Sequence, residues 1–229
     1  MKHAPRGDPD VRHRWVFAFQ VDGDLRFISH HDMLRLFRRA LARAEVPVRF
    51  TQGFNPHPRM SLPLPRPVGM ASEAEALMIE TERDVDPDDM LARLAQHTPA
   101  DLQMVSVRRL ALREGLEPEL VRYRFRPEPP PRSSALSNDL KTKVRLVLDA
   151  ETIQVERTKP GNEAVRVIDI RPYIEDLSLV DDVVEFTLRV TQSGTARPSE
   201  VVGALGYRTE SINHQIRRID VRWRQYNEV

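Results

Sequence analysis

Residues 51–70, TQGFNPHPRMSLPLPRPVGM, carry five prolines in twenty positions. Proline lacks a backbone donor and its ring clashes with the preceding turn, so no helix crosses this stretch. The missing donor also excludes a central strand. Yet Phe54, Met60, Leu62, Leu64, Val68 and Met70 are too apolar for a free linker. The expectation is a long, stiff loop over 52–70, with Phe54, Met60 and Leu62 anchoring it to a sheet. Gly53 permits a turn or the close approach of another backbone. Pro56, Pro58, Pro63 and Pro65 fix the path at low entropic cost.

On either side of the loop the hydrophobic pattern is regular. RWVFAFQV (14–21) reads as a strand rich in β-branched and aromatic residues. Ser29 reads as an N-cap, with Asp32 completing a short capping box. Leu34, Phe37, Leu41 and Ala44 recur at helical spacing and predict a helix over 30–44, with Arg35, Arg38, Arg39 and Arg43 on its other side. VPVRFT (46–51) and EAEALMIETE (73–82) read as strands. Asp86-Pro87-Asp88-Asp89 starts a second helix, and LQMVSVRRLAL (102–112) is a further strand. The order β-α-β-β-α-β is a ferredoxin-like unit.

The second half repeats the outline. VRYRFRP (121–127) is a strand, and a helix over 140–148 follows a cap at Ser137. TIQVERT (152–158) and AVRVIDI (164–170) flank the turn Lys159-Pro160-Gly161-Asn162. VVEFTLRV (183–190), a helix over 198–205 stopped by Gly206, and IRRIDVRWR (216–224) close the chain. In that last strand, alternation puts Ile219, Val221 and Trp223 on one face and Arg218, Arg222 and Arg224 on the other. The expected fold is α+β: two ferredoxin-like domains in tandem, over 13–112 and 121–229, after a flexible tail over 1–12.

Charge is uneven although the net is only +1. Residues 26–66 hold eight Arg against Asp32 and Glu45, whereas residues 71–90 hold eight acids against Arg83 alone. The first region attracts phosphate and the second repels it. Arg outnumbers Lys 31 to 4, which suits bidentate phosphate contacts but is more simply a GC-rich coding bias. There is no cysteine, so the chain can build neither a disulfide, nor Cys-ligated zinc, nor an iron–sulfur centre of its own. No apolar run approaches the roughly 18–20 residues that span a bilayer. The polar start lacks a signal-peptide core, so the expected setting is cytoplasmic, with no membrane. No dinucleotide, P-loop or zinc-protease motif occurs.

The run RFISHHDMLRLFRRALARAEVPVRFTQGFNPHPRMSLPLPRPVGMASEAE resembles the signature of the bacterial radical-SAM-linked proteins, which carry a domain of unknown function. Their pattern R-F-x-S-H-x-D matches Arg26, Phe27, Ser29, His30 and Asp32. Their S-Q-G-F-N-P-H-P block matches Thr51 onward, S-x-x-E matches Ser72 and Glu75, and D-I-R-P matches Asp169 to Pro172. Thr51 replaces the usual Ser, His31 replaces an apolar residue, and Pro67 interrupts the P-L-P-x-G piece. The resemblance implies a radical-SAM partner that supplies the iron–sulfur chemistry, with no cofactor on this chain. In outline the chain also resembles the CRISPR repeat-associated RNA-binding proteins, some of which cut RNA with a His placed between first strand and first helix. His30 and His31 stand there.

The leading expectation is a non-catalytic module that binds RNA, tRNA or ribosomal RNA included, or presents substrate to that partner. Candidate contacts are His30, His31, Arg35, Arg38, Arg39, Arg43, Gln52, Asn55, His57, Arg59, Arg218, Arg222 and Arg224. Ser29, Asp32, Gly53, Asp169 and Arg171 are structural, the last two as a buried ion pair at a strand end. Alternatives remain open. One is a metal-independent endoribonuclease with His30 or His31 as general base. Another is a protein-binding adaptor docking through the acidic 73–89 stretch. A zinc site would need His30, His57 and a carboxylate to converge, and the spacing is not diagnostic of one. The loop itself is either a binding element or a plug that seals the domains.

Overall fold

The computed structural model describes residues 12–111, 114–127, 134–159, 162–210 and 212–224. The expected tail 1–12 (Arg12 excepted) and the centre of the 159–162 turn lie outside the described residues. Among those described, the protein is a mixed α+β fold with a large, mostly antiparallel sheet, a separate two-stranded hairpin and four α-helices. The chain forms two compact units. One holds residues up to 68, 72–117 and from 224 on; the other holds 69–71 and 118–223.

In the first unit the order is β1 (His13–Val21), α1 (His30–Arg43), β2 (Met60–Ser61), β3 (Ala71–Thr81), α2 (Pro87–Gln96) and β4 (Leu102–Leu110). β1 lies between β3 and β4 and is antiparallel to both, with Phe17 opposite Leu77 on one side and Val107 on the other. β2 pairs antiparallel with β3. Alternate residues Trp15, Phe17, Phe19 and Val21 are buried with Phe37 and Leu41 of α1 and Met90 and Leu94 of α2. The buried stripe of α1 begins at Met33, not Leu34, and continues through Phe37, Ala40 and Leu41. That spacing is one face of a helix and leaves the Arg residues outside.

The strand expected over 46–51 is reduced to isolated bridges, such as Val48 with Thr81. The Glu82 N–H donates to Pro47 O at 2.9 Å and the Arg49 N–H to Glu80 O at 2.8 Å, but Pro47 has no donor to extend the ladder. The 52–70 segment then divides. Met60 and Leu62 pack against the core as anticipated. Phe54 does not: it is fully exposed.

The second unit holds β5 (Pro118–Phe125), α3 (Ser134–Asp149), β6 (Gln154–Lys159), β7 (Asn162–Asp169), β8 (Ile174–Val180), β9 (Val183–Arg189), α4 (Pro198–Ala204) and β10 (Ile216–Trp223). Its strands run β10-β5-β9-β8, all antiparallel. This corrects the sequence outline in two ways. β6 and β7 pair only with each other. β8, which was not anticipated, pairs with β9 instead. A register shift between Ile174 and Asp176 breaks its two-residue alternation, so the buried residues Ile174 and Leu177 fall three apart. Ser137 is not a cap, because α3 already begins at Ser134.

Asp169 and Arg171 do not pair with each other. The Asp169 carboxylate accepts from the Ile153 and Arg171 backbone N–H groups at 2.8 and 3.0 Å. The Arg171 guanidinium donates to Leu148 O, Ala150 O and Ile174 O. It thereby closes the C-terminal end of α3, where helix carbonyls lack intrahelical partners.

On β9, Glu185 is clasped by Arg124 and Arg122 of β5. The hydrogen bonds from Arg124, with Arg122 adding its charge, hold the Glu185 carboxyl below the usual value near 4.5. A depressed carboxylate supports the fold above its unfolded pKa, and that support is lost as pH falls through the folded value. Urea midpoints should therefore drop below about pH 4.5, and less steeply in Glu185→Gln. An unchanged acid limb in that variant would remove Glu185 from the account.

Candidate functional site

The N-terminal end of α1 gathers residues from three separate stretches. Ser29 caps the helix: its Oγ accepts from the Asp32 N–H at 3.1 Å and donates to Asp32 Oδ2 at 2.7 Å. That hydroxyl, then the Arg35 guanidinium, holds the Asp32 carboxyl below its ordinary value. From the Pro-rich loop, Arg66 donates to Arg26 O at 2.7 Å and Leu25 O at 3.2 Å. Ser29, His30, Leu64, Arg66 and the buried Glu75 of β3 line a cavity of about 10 Å³. That is about the room one water needs, so this is a packing joint and no substrate cleft.

Beside it, with Ile28 lining both, an open groove of about 650 Å³ runs between α1 and the C-terminal end of α2. Asp32, Arg35, Arg39 and Arg43 form one wall, and His97 and Thr98 stand on the other. Arg35 is tied to Asp32 at 3.0 Å. Arg38, Arg39 and Arg43 are exposed and make no ion pair or hydrogen bond among the described residues. His97 donates through Nδ1 to Arg93 O at 2.8 Å. The groove thus offers two uncompensated cations, Arg39 and Arg43, against one acid already paired with Arg35, a surface suited to phosphate.

The other expected contacts disperse. His31 is exposed, with its ring edge-on to His30 at 5.9 Å between centroids. His30 lies at the level of Glu75 on β3, whereas the neck of the loop carrying His57 joins the edge beside Glu80. Five residues of strand, roughly 16 Å, separate those levels. Gln52, Asn55 and His57 therefore stand on a loop of their own and do not join His30. Among the described residues, no three His, Cys, Asp or Glu side chains gather as a metal site. Arg59 sits in the edge, 3.7 Å from Glu80.

The three arginines of the last strand do not share one exposed face. A bulge between Arg218 and Asp220 flips the alternation, so Arg218 is buried while Arg222 is exposed. Arg222 pairs with Glu119 and Arg224 with Glu117. The acidic 73–89 stretch is also divided among local roles. Glu75 is buried, Asp84 holds Arg109, Asp86 caps α2 and Asp89 pairs with Arg93. Sequence reasoning missed His97 and Arg66, which have no motif of their own and enter only through tertiary packing.

No curated protein matches the chain. Among solved structures, an unknown protein from Galdieria sulphuraria resembles it at 14% identity, over 94% of this chain and 100% of that one, with a TM-score of 0.28. A family model matches residues 14–198, from the start of β1 to the start of α4. The chain belongs to that family, described as an uncharacterized protein conserved in bacteria (DUF2344).

Proposed function

We propose that the chain is a non-catalytic, cytoplasmic RNA-binding module that presents substrate to a radical-SAM enzyme. The observation that carries this reading is the groove along α1, where Arg39 and Arg43 stand unpaired beside Arg35. Phosphate contacts of this kind position a nucleic acid without reading its sequence. In this reading both units are ferredoxin-like, the second with the β6–β7 hairpin inserted between its first helix and its second sheet strand. The chain has no thiol, so iron–sulfur chemistry would reside wholly in the partner.

Cleavage by His30 or His31 is the competing reading. His30 lines a cavity too small for a nucleotide, and neither imidazole has a hydrogen-bonded acid or base beside it among the described residues. General acid–base cleavage needs both roles filled within reach of the 2′-hydroxyl and the leaving oxygen.

The test is RNA binding across a salt series, in chelator. Affinity should fall steeply with salt, and each contact removed in Arg39→Ala and Arg43→Ala should reduce the log–log slope by roughly 0.7–0.9. Salt-independent binding, or a slope untouched by both substitutions, would sink the groove as an RNA site. Products ending in 2′,3′-cyclic phosphate that vanish in His30→Ala, His31→Ala protein would replace the module with a nuclease.

A further inference from the structure

The loop between Thr51 and Pro58 has an unusual surface. Its neck is closed twice: the Thr51 N–H donates to His57 O at 2.8 Å, and the His57 N–H donates to Thr51 Oγ1 at 3.0 Å. Phe50 and Pro58 form a bridge just outside. Gly53, at φ +125, makes the turn that aims the next residue outward, and a Cβ there would meet nothing within 4 Å. Gly53 thus serves backbone geometry and not close approach. Phe54 follows at 112% relative exposure, while the other exposed large hydrophobics lie between 48% and 64%. An aromatic ring held wholly in water by a closed, proline-flanked loop gains nothing for the fold.

The ring's neighbours narrow the choice of occupant. Gln52, Asn55 and the His57 imidazole are exposed, and their side chains make no hydrogen bond among the described residues. A dry apolar pocket on a partner protein would bury these groups without partners, at a cost for each. An unpaired nucleobase offers both what the ring needs and what the amides need: a π-face and a polar edge.

We infer that this loop reads single-stranded nucleic acid, with Phe54 stacking on an unpaired base and Gln52, Asn55 and His57 contacting base edges. The inference rests on the RNA reading above and narrows it from RNA in general to unpaired segments. Because the loop is closed before binding, little entropy is lost when the base docks.

The experiment compares a hairpin RNA carrying an unpaired loop with a blunt duplex of equal phosphate number, at fixed salt. Phe54→Ala and Phe54→Leu should each weaken hairpin binding about 10-fold, within the range for one stacked base, and leave duplex binding within about twofold. Phe54→Trp should retain affinity and show emission quenched by the hairpin, beyond the wild-type background of Trp15 and Trp223. Phe54 touches no core, so all three variants should keep the wild-type melting temperature. Full affinity in Phe54→Leu, or equal losses on hairpin and duplex, would overturn the stacking assignment. Arg39→Ala with Arg43→Ala separates the two claims. If that double variant loses affinity for both RNAs while Phe54→Ala loses none, only the loop inference falls. If wild-type protein binds neither RNA, the RNA reading falls and takes the loop inference with it.

Discussion

Phe37→Ala is expected to destabilise the first unit by about 3–5 kcal/mol. Phe37 has no exposed surface, and its ring meets Phe19 of β1 edge-on at 4.9 Å between centroids. It joins the inner face of α1 to the sheet. Truncation removes the buried ring and leaves a cavity that Met33 and Leu41 on the same stripe can fill only in part. Phe37→Leu keeps most of the volume and should cost about 1.5 kcal/mol or less. Urea denaturation followed by circular dichroism measures both. The functional consequence follows from geometry, since the helix that Phe37 anchors is the one that presents Arg39 and Arg43. RNA affinity in Phe37→Ala should match wild type well below the variant's melting range and vanish within it. A loss under about 1 kcal/mol would mean that α1 is held mainly by its caps and neighbours.

The first unit was more legible in the sequence than the second, for a physical reason. Its elements announce themselves by period and punctuation. Alternating aromatics mark β1, the Ser29 cap opens α1, and Asp86-Pro87 opens α2. In the second unit, two register shifts defeat period-based reading. The bulge at Arg218–Asp220 turned an apparent Arg face into one buried and one exposed arginine. The irregularity at Ile174–Asp176 hid β8 altogether. A bulge changes which face a residue occupies without changing composition, so alternation alone cannot find it.

Less of the candidate site could be read in advance. The helical spacing of Arg35, Arg39 and Arg43 puts them on one face, and that follows from the sequence. That Asp32 takes up Arg35 while Arg39 and Arg43 stay unpaired depends on rotamers and on the end of α2. The Pro-rich loop was readable as stiff, but not as two parts with opposite roles. Its 60–66 portion faces the core and supplies Arg66 to the backbone ahead of α1, whereas its 52–57 portion projects into solvent. Thr51 decides the division by closing the neck through both its backbone N–H and its hydroxyl. A hydroxyl residue at 51 was visible, but its partner six residues on was not.

Arg171→Ala is expected to cost the second unit about 3 kcal/mol. Its guanidinium makes three bonds to backbone oxygen: 2.8 Å to Leu148, 3.1 Å to Ala150 and 3.2 Å to Ile174. Leu148 and Ala150 lie at the end of α3, where carbonyls have no helical donors and the macrodipole favours a cation. Each bond from a charged donor contributes roughly 1.5–3 kcal/mol, but the site is half-buried, so water replaces part of what is lost. Lysine has one ammonium in place of a planar fork and cannot reach three oxygens spread over two elements. Arg171→Lys should therefore recover less than half of the loss. Hydrogen exchange should show the last turn of α3 opening first in both variants, with β5 and β9 protected until global unfolding. The same variants test whether the Asp169–Pro172 stretch has any part in binding. Arg171 lies in the other unit from the α1 groove, and its nitrogens face backbone oxygens. RNA affinity and salt slope should then stay at wild-type values wherever the variant is folded. A folded Arg171→Lys protein that loses affinity would move this arginine from the framework of α3 to the ligand.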